Sequence, residues 1–324
     1  MRPQLVFIHG IGGPRDPARE LTQWTSALAS GMRAAGHARL GRELTAGSGP
    51  ECVFAHYADL FGQRQAQGEP DGLPEEAEAD VLSDLLVAWV DALAAEDVSE
   101  RDRRLLAHAR AEAAPRDQAQ GSLEVVRRAI NVATTVLSLK PWSGPAQWIT
   151  PKLMVRHLAQ VARYLARGEH DDDGVGLDRR VRARVAEALG DGPVVVVAHS
   201  LGTVVALEAL HEHPSDIRLL VTLGSPIAMR TVVWPRLVPQ PPSTPATVAE
   251  WLNFWDRDDV IAVRPYLERD VRANLAGVAP VSSRIDSDGV WVHSADKYLA
   301  QPAVAGRVAE ALMSLASGPS GDSL

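Results

Sequence analysis

The residues best suited to chemistry lie around Ser200, in the stretch Ala198-His199-Ser200-Leu201-Gly202. Four consecutive valines at 194–197 precede it, and such an apolar run is typical of a strand buried on both faces. Residues 203–210 have the composition of a helix. A serine with small residues two places before and after it, between a strand and a helix, is the pattern of a nucleophile elbow. Such a strained turn projects the hydroxyl from the carboxyl edge of a sheet. The alternative is an ordinary tight turn that carries a serine without chemistry.

A second informative stretch is a glycine-rich turn near the start, where the apolar residues 4–8 lead into His9-Gly10-Ile11-Gly12-Gly13. Glycines allow a backbone to approach a substrate closely. A phosphate-binding loop is the competing interpretation, but this stretch lacks the Gly-Lys-Ser/Thr and G-x-G-x-x-G sequences of such loops. With its His-Gly pair after the first strand and its serine elbow, the chain resembles the α/β-hydrolase superfamily of serine hydrolases, and lipases and esterases in particular.

The resemblance implies an oxyanion hole and two further catalytic side chains. The oxyanion donors would be the backbone N–H groups of Ile11 and Leu201. In this family the acid and then the base follow the nucleophile along the chain. His293 occupies the family's position for the base, between the last strand and the last helix. His211 and His213 also follow the serine, but they end the elbow helix and are expected to interact with its C-terminus.

The acid is expected among the aspartates that follow the predicted strand 251–255. Asp259 precedes Val260-Ile261-Ala262, and in the family the acid often precedes two apolar residues and then proline or alanine. Asp256 lies nearest the strand end and is the alternative acid, and Asp258 is a third candidate. The aspartates that are not used would form turns or caps.

Each residue of such a triad has a defined task. The Ser200 hydroxyl is a poor nucleophile until His293 takes its proton. The carboxylate fixes the imidazole tautomer and stabilises the imidazolium that forms. Each backbone donor of the oxyanion hole contributes on the order of 100- to 1000-fold in rate. This chemistry needs neither a metal nor an organic cofactor.

Several side chains near these elements are candidates for the substrate pocket. His9 and Tyr57 end the first two predicted strands, Gly10 follows the first of them, and His199 adjoins Ser200. Trp142 lies in a proline- and glycine-rich stretch of the middle region. Contact between helices is an equally good explanation for this tryptophan.

The composition is that of a globular protein, with 46% hydrophobic and 23% charged residues. The net charge of −8 argues against a nucleic-acid-binding surface. Cys52 is the single cysteine, which excludes an intramolecular disulfide. The N-terminus has no secretory signal pattern, and no segment has the ~20 apolar residues that span a bilayer. The sequence therefore predicts a cytoplasmic protein without a transmembrane segment.

Strands that alternate with helices predict an α/β fold. We expect the α/β-hydrolase fold, with a mostly parallel sheet of about six strands and helices on both faces. The predicted strands are residues 5–9, 52–57, 194–198, 217–223, 251–255 and 290–293.

Residues 74–167 interrupt this alternation, because they contain helical patterns and no convincing strand. We therefore expect a core formed by residues 1–73 and 168–324, with 74–167 as a helical insertion. Connections of this length usually have a function. The insertion is expected to be a lid or cap over Ser200 or, alternatively, a docking surface for a protein partner.

Together these features predict a serine hydrolase that cleaves small-molecule carboxylic or lipid esters through an acyl-enzyme. Thioesters and amides are cleaved by the same kind of triad, so they are alternative substrate classes. Two alternatives belong to other functional classes. One is a non-catalytic scaffold of this fold that binds a ligand or a protein through the insertion. The other is an effector whose activity is gated by a partner docked there. The fold does not fix the substrate.

Overall fold

The computed structural model describes the greater part of the chain. The described residues are 2–10, 16–62, 76–95, 98–114, 122–139, 150–190, 192–257, 259, 261–262, 266–287 and 292–317. The chain forms two compact units. The first comprises Met1–Tyr57, Arg182–Ala228 and Val238–Leu324, and the second comprises Ala58–Val181 and Met229–Leu237.

The first unit is built on a parallel sheet of six strands, which confirms the predicted α/β architecture. The strands follow the spatial order β2-β1-β3-β4-β5-β6, and every neighbouring pair is parallel. Their bounds are β1 Gln4–Ile8, β2 Glu51–Ala55, β3 Val194–His199, β4 Ile217–Leu223, β5 Trp251–Asp256 and β6 Pro280–Ile285.

The register of the central strands brings the predicted site residues to one edge of the sheet. Every residue of β3 is buried, as its valine run predicts for a strand covered on both faces. Ile8 at the end of β1 pairs with Ala198, and Leu223 at the end of β4 pairs with His199. The segments that follow these three parallel strands therefore meet beside Ser200.

Helices alternate with the strands along the chain. In chain order they are α1 Pro17–Ala34, α2 Ala38–Thr45, α3 Glu76–Ala94, α4 Glu100–Ala113, α5 Ser122–Leu137, α6 Pro151–Ala166, α7 Leu177–Ala188, α8 Leu201–Glu212, α9 Ala295–Leu299 and α10 Pro302–Ser317. Side chains of α1, α9 and α10 join those of the strands in one apolar core, and α8 packs against β1 and β3. None of the helices in the described part of the chain is long and apolar enough to cross a membrane.

The second unit contains α3, α4, α5 and α6, and the described residues between 76 and 166 include no strand. Its core is apolar, with Leu82, Leu86 and Trp89 of α3 and Leu106 of α4 all buried. The unit also includes residues 229–237, which follow β4, so it extends beyond the predicted insertion 74–167. Within the unit, Arg236 of that segment donates to Asp84 at 2.9 Å.

The last strand was predicted in the wrong place. Residues 290–293 were expected to form it, but Val292 and His293 lie in a turn, and 290–291 lie outside the described residues. The sixth strand is β6 instead, which pairs with β5 at the edge of the sheet. Its sequence Pro-Val-Ser-Ser-Arg-Ile is half exposed and carries no apolar run, because an edge strand needs less burial than a central one.

Candidate active site

Ser200 occupies a strained turn between β3 and α8. Its backbone has φ 56° and ψ −129°, a conformation that non-glycine residues adopt only where the surroundings impose it. A Cβ on Gly202 would press against the carbonyl oxygens of His9 and Ile8, and a Cβ on Gly10 would lie 2.6 Å from Ser200 Cβ. The small residues thus allow the segment after β1 to pack directly against the elbow.

Hydrogen bonds hold the elbow in this conformation. The Ser200 N–H donates to Leu223 O at 3.0 Å, at the end of the neighbouring strand. The Thr203 hydroxyl donates to Ser200 O at 2.7 Å and lies 2.8 Å from Ser225 Oγ, which acts as its donor. These hydrogen bonds involve both the N–H and the carbonyl oxygen of Ser200. They therefore fix the position of the backbone from which the Ser200 side chain projects.

The three residues predicted for the triad form one hydrogen-bonded chain. His293 Nε2 lies 2.9 Å from Ser200 Oγ. On the other side of the ring, His293 Nδ1 lies 2.9 and 2.8 Å from the two carboxylate oxygens of Asp259. With the proton on Nδ1, which faces the carboxylate, Nε2 presents its lone pair to the serine hydroxyl.

Asp259 is buried, and several donors keep its carboxylate charged. The Ile261 N–H donates to Oδ1 at 2.9 Å, and the Tyr298 hydroxyl donates to Oδ2 at 2.6 Å. Burial alone raises the pKa of Asp259, but the charge and hydrogen bond of His293, with these two donors, lower it below its ordinary value. The Asp259 carboxylate is therefore ionised near neutral pH.

The alternative acid has a different partner. Asp256 Oδ2 accepts hydrogen bonds from both the N–H and the hydroxyl of Ser287, each at 2.6 Å. Its carboxylate thus fixes the turn after β6, while Asp259 meets the imidazole. Asp258, the third candidate, lies outside the described residues.

Two contributors to the site were not predicted. Gly224, directly after β4, has φ +55°, and a Cβ there would lie 2.6 Å from Asp259 Oδ2 and 3.2 Å from His293 Nδ1. Its place at the end of an apolar strand was visible in the sequence, but its proximity to Asp259 and His293 was not. Tyr298 lies on α9, five residues after His293, and no sequence pattern indicates its bond to Asp259.

The family comparison covers the elbow and the acid. Residues 170–275 match a family model described as alpha/beta hydrolase fold. The matched segment contains β3, the Ser200 elbow, α8, β4, β5 and Asp259. This match, together with the six-stranded parallel sheet, supports membership of the α/β-hydrolase superfamily. No curated protein and no solved structure was found to match it.

In this α/β-hydrolase fold, His9 supports the loop beside Ser200. Its Nδ1 lies 2.6 Å from Gly10 O, and its Nε2 accepts from the Tyr57 N–H at 3.3 Å, so the ring is neutral with the proton on Nδ1. The Tyr57 hydroxyl donates to His9 O, and the two rings stack at a centroid distance of 4.0 Å. His9 and Tyr57 therefore hold the Gly10 segment against Ser200.

Of the two expected oxyanion donors and the remaining pocket candidates, the structure describes some and not others. Leu201 is the first residue of α8, where N–H groups have no partner within the helix and the helix dipole favours negative charge. The ring of His199 packs against that of His293, with 4.7 Å between the ring centroids. Ile11 and Trp142 lie outside the described residues.

Substitution of Gly224 tests how tightly the acid and base are packed. Gly224→Ala should lower kcat/KM about 100-fold, because the new methyl group must displace Asp259 or His293. The positive φ should also cost about 1 kcal/mol of stability. Steady-state kinetics and thermal melting measure the two effects.

Gly277→Ala is the matched control, since Gly277 has φ +79° with open space around its Cβ position. It should lose a similar amount of stability and keep its activity. Equal kinetic losses in the two variants would contradict the steric argument.

Proposed function

We propose that this α/β-hydrolase is a serine hydrolase that cleaves carboxylic or lipid esters through an acyl-enzyme on Ser200. The observation that carries the proposal is the unbroken chain from Ser200 Oγ through His293 to Asp259, with contacts of 2.9 and 2.8 Å. A strained backbone at the nucleophile and a buried, ionised acid at the other end of the chain support it further.

The first half of the reaction follows from this geometry. Ser200 Oγ attacks the ester carbonyl carbon while His293 Nε2 takes the hydroxyl proton. The carbonyl oxygen becomes an oxyanion, which the N–H groups of Leu201 and Ile11 would stabilise. Asp259 stabilises the imidazolium. The intermediate then expels the alcohol oxygen, which receives the proton from His293, and the acyl group stays on Ser200.

The second half uses water as the nucleophile. His293, neutral again, takes a proton from water as its oxygen attacks the acyl carbon. The tetrahedral intermediate collapses, the bond to Ser200 Oγ breaks, and His293 returns the proton to the serine. The products are a carboxylic acid and an alcohol, and the enzyme is restored.

The helical region 74–167 is proposed as a lid that builds an apolar acyl pocket over Ser200. A preference for lipid-like esters would follow, because an enclosed apolar pocket excludes water and strengthens the oxyanion interactions. Its apolar helical content supports this part of the proposal. The alternative is a docking surface through which a protein partner gates the activity.

Covalent labelling combined with an ester series tests the proposal. The wild-type protein is treated with a fluorophosphonate probe and digested, and the modified residue is located by mass spectrometry. A series of p-nitrophenyl esters of increasing acyl length is then assayed. We expect a single adduct on Ser200 and turnover that rises with chain length.

The other outcomes separate the alternatives. Labelling of Ser200 with no dependence on chain length would contradict the lid and leave the hydrolase. Neither labelling nor turnover would contradict the enzyme and favour a non-catalytic scaffold. Activity that appears only after a binding partner is added would favour the gated effector.

A further inference from the structure

The Tyr298 hydroxyl lies at the end of the triad farthest from Ser200. It donates to Asp259 Oδ2 at 2.6 Å and accepts from the Asp256 N–H at 3.1 Å. The side chain is fully buried in the apolar core of the first unit. Because its oxygen accepts from a backbone N–H, its proton is directed at the carboxylate.

The place of Tyr298 in the chain links the acid to the base. Tyr298 is on α9, the short helix that begins two residues after His293, while Asp256 and Asp259 follow β5. A single phenol oxygen therefore joins the segment that carries the base to the segment that carries the acid. Ser287, held by the Asp256 carboxylate, ties the turn after β6 to the same place.

We propose that Tyr298 is a positioning residue of the triad. It orients the Asp259 carboxylate towards His293 and lowers the basicity of that carboxylate. The inference rests on the proposed hydrolase function of this site. Tyr298 touches neither the substrate nor the reacting atoms, and it acts through Asp259.

Two consequences follow from a donor at Oδ2. The hydrogen bond removes one of the orientations in which the carboxylate could turn away from the imidazole. It also withdraws charge from the carboxylate, so that the imidazolium of His293 is stabilised less than it would be by a free acid. Burial and the neighbouring Asp259 carboxylate raise the pKa of Tyr298 well above its ordinary value, so the phenol remains a neutral donor throughout.

Other titratable groups also face the triad and must be held constant in a test. The His199 ring packs against that of His293, with 4.7 Å between the ring centroids. Asp256 donates its backbone N–H to the phenol oxygen, and its charge helps to raise the pKa of Tyr298. Tyr298→Phe leaves the side chains of His199 and Asp256 in place and keeps the ring that fills the core, although the Asp256 N–H loses the phenol oxygen as its acceptor. It removes a single oxygen.

The experiment measures kcat/KM against pH for Tyr298→Phe. We expect about a tenfold loss at neutral pH, which is the usual scale for a hydrogen bond to a charged group. The acid limb of the profile, which reports protonation of the base, should move about half a unit to higher pH, because the uncompensated carboxylate holds the imidazolium more strongly. Tyr266→Phe is the matched control, since Tyr266 is partly exposed and packs on Trp255 and Arg269, and it should change neither quantity.

A second variant keeps both the ring and the hydroxyl. Site-specific Tyr298→3-fluorotyrosine strengthens the donor, and the acid limb should move to lower pH, opposite to the effect of Tyr298→Phe. This variant secures the test if Tyr298→Phe fails to fold. The proposal would be overturned if the acid limb of the kcat/KM profile stayed at the wild-type pH in each variant that folds.

A double-mutant cycle shows whether Tyr298 acts through Asp259. The rate of Ser200 labelling is compared in Tyr298→Phe, Asp259→Asn and the combined variant. We expect the tyrosine substitution to have no further effect once Asp259 is replaced. Additive losses would mean that Tyr298 serves packing only. Since these readouts require wild-type labelling of Ser200, its absence would refute the proposed function, whereas failure of the cycle alone would refute only the role of Tyr298.

Discussion

Ser200→Ala is expected to abolish covalent labelling by a fluorophosphonate and to reduce ester turnover about a millionfold. Oγ is the attacking atom of the proposed mechanism, and neither His293 nor Asp259 can replace it. Losses of about this size follow removal of the nucleophile in a well-characterised serine hydrolase. Alanine fits the elbow without a new contact, although it must adopt the same φ of 56°. The measurements are adduct mass after labelling, turnover with a p-nitrophenyl ester, and circular dichroism for the fold.

Ser215→Ala is the matched control for this experiment. Ser215 is a buried serine whose hydroxyl donates to Gly190 O at 2.8 Å, before β4 and at the opposite edge of the sheet. Its replacement should leave labelling and turnover unchanged. Stoichiometric labelling of Ser200→Ala would show that another residue is the nucleophile and would refute the proposed mechanism.

The part of the site that sequence could predict is the part encoded by local chain geometry. The valine run at 194–197, the serine and Gly202 together define a strand, a turn and a helix, and all three are present. The spacing after β5 favoured Asp259 over Asp256, and in the structure Asp259 lies beside His293. These features could be predicted because turn residues and apolar runs are recognised from neighbouring positions in the sequence.

The part that sequence could not predict depends on contacts between distant segments. Gly224 and Tyr298 meet Asp259 only because β4, β5 and α9 end at the same place in the folded unit. A glycine after an apolar strand and a tyrosine in a short helix are common in any sequence. Their role appears only in three dimensions.

The misplaced last strand has a related cause. Hydrophobic periodicity detects burial, and the apolar residues around Val292 suggested a strand there. Val292 is indeed buried, but in the turn that carries His293. The true edge strand, β6, exposes half of its residues and gives a weak signal. The base was still assigned to His293, because that assignment depended on its position before the last helix rather than on the strand.

Asp259→Asn is expected to lower kcat by about four orders of magnitude while leaving the fold intact. Both carboxylate oxygens accept hydrogen bonds, from the Ile261 N–H and the Tyr298 hydroxyl, and both face His293 Nδ1. An asparagine has one oxygen and one NH₂ group. The amide oxygen is best placed towards the Ile261 N–H, which directs the NH₂ group at His293 Nδ1.

That arrangement puts the imidazole in the wrong tautomer. Nδ1 accepts from the amide, the ring proton moves to Nε2, and Nε2 cannot take the proton of Ser200. Asp256→Asn is the matched control, since an amide oxygen can accept both bonds from Ser287. It should cost about 1 kcal/mol of stability and little activity. Kinetics and thermal melting of the two variants, measured side by side, decide between the two aspartates. A severe kinetic loss in Asp256→Asn with a mild one in Asp259→Asn would make Asp256 the acid, in spite of the contact between Asp259 and His293.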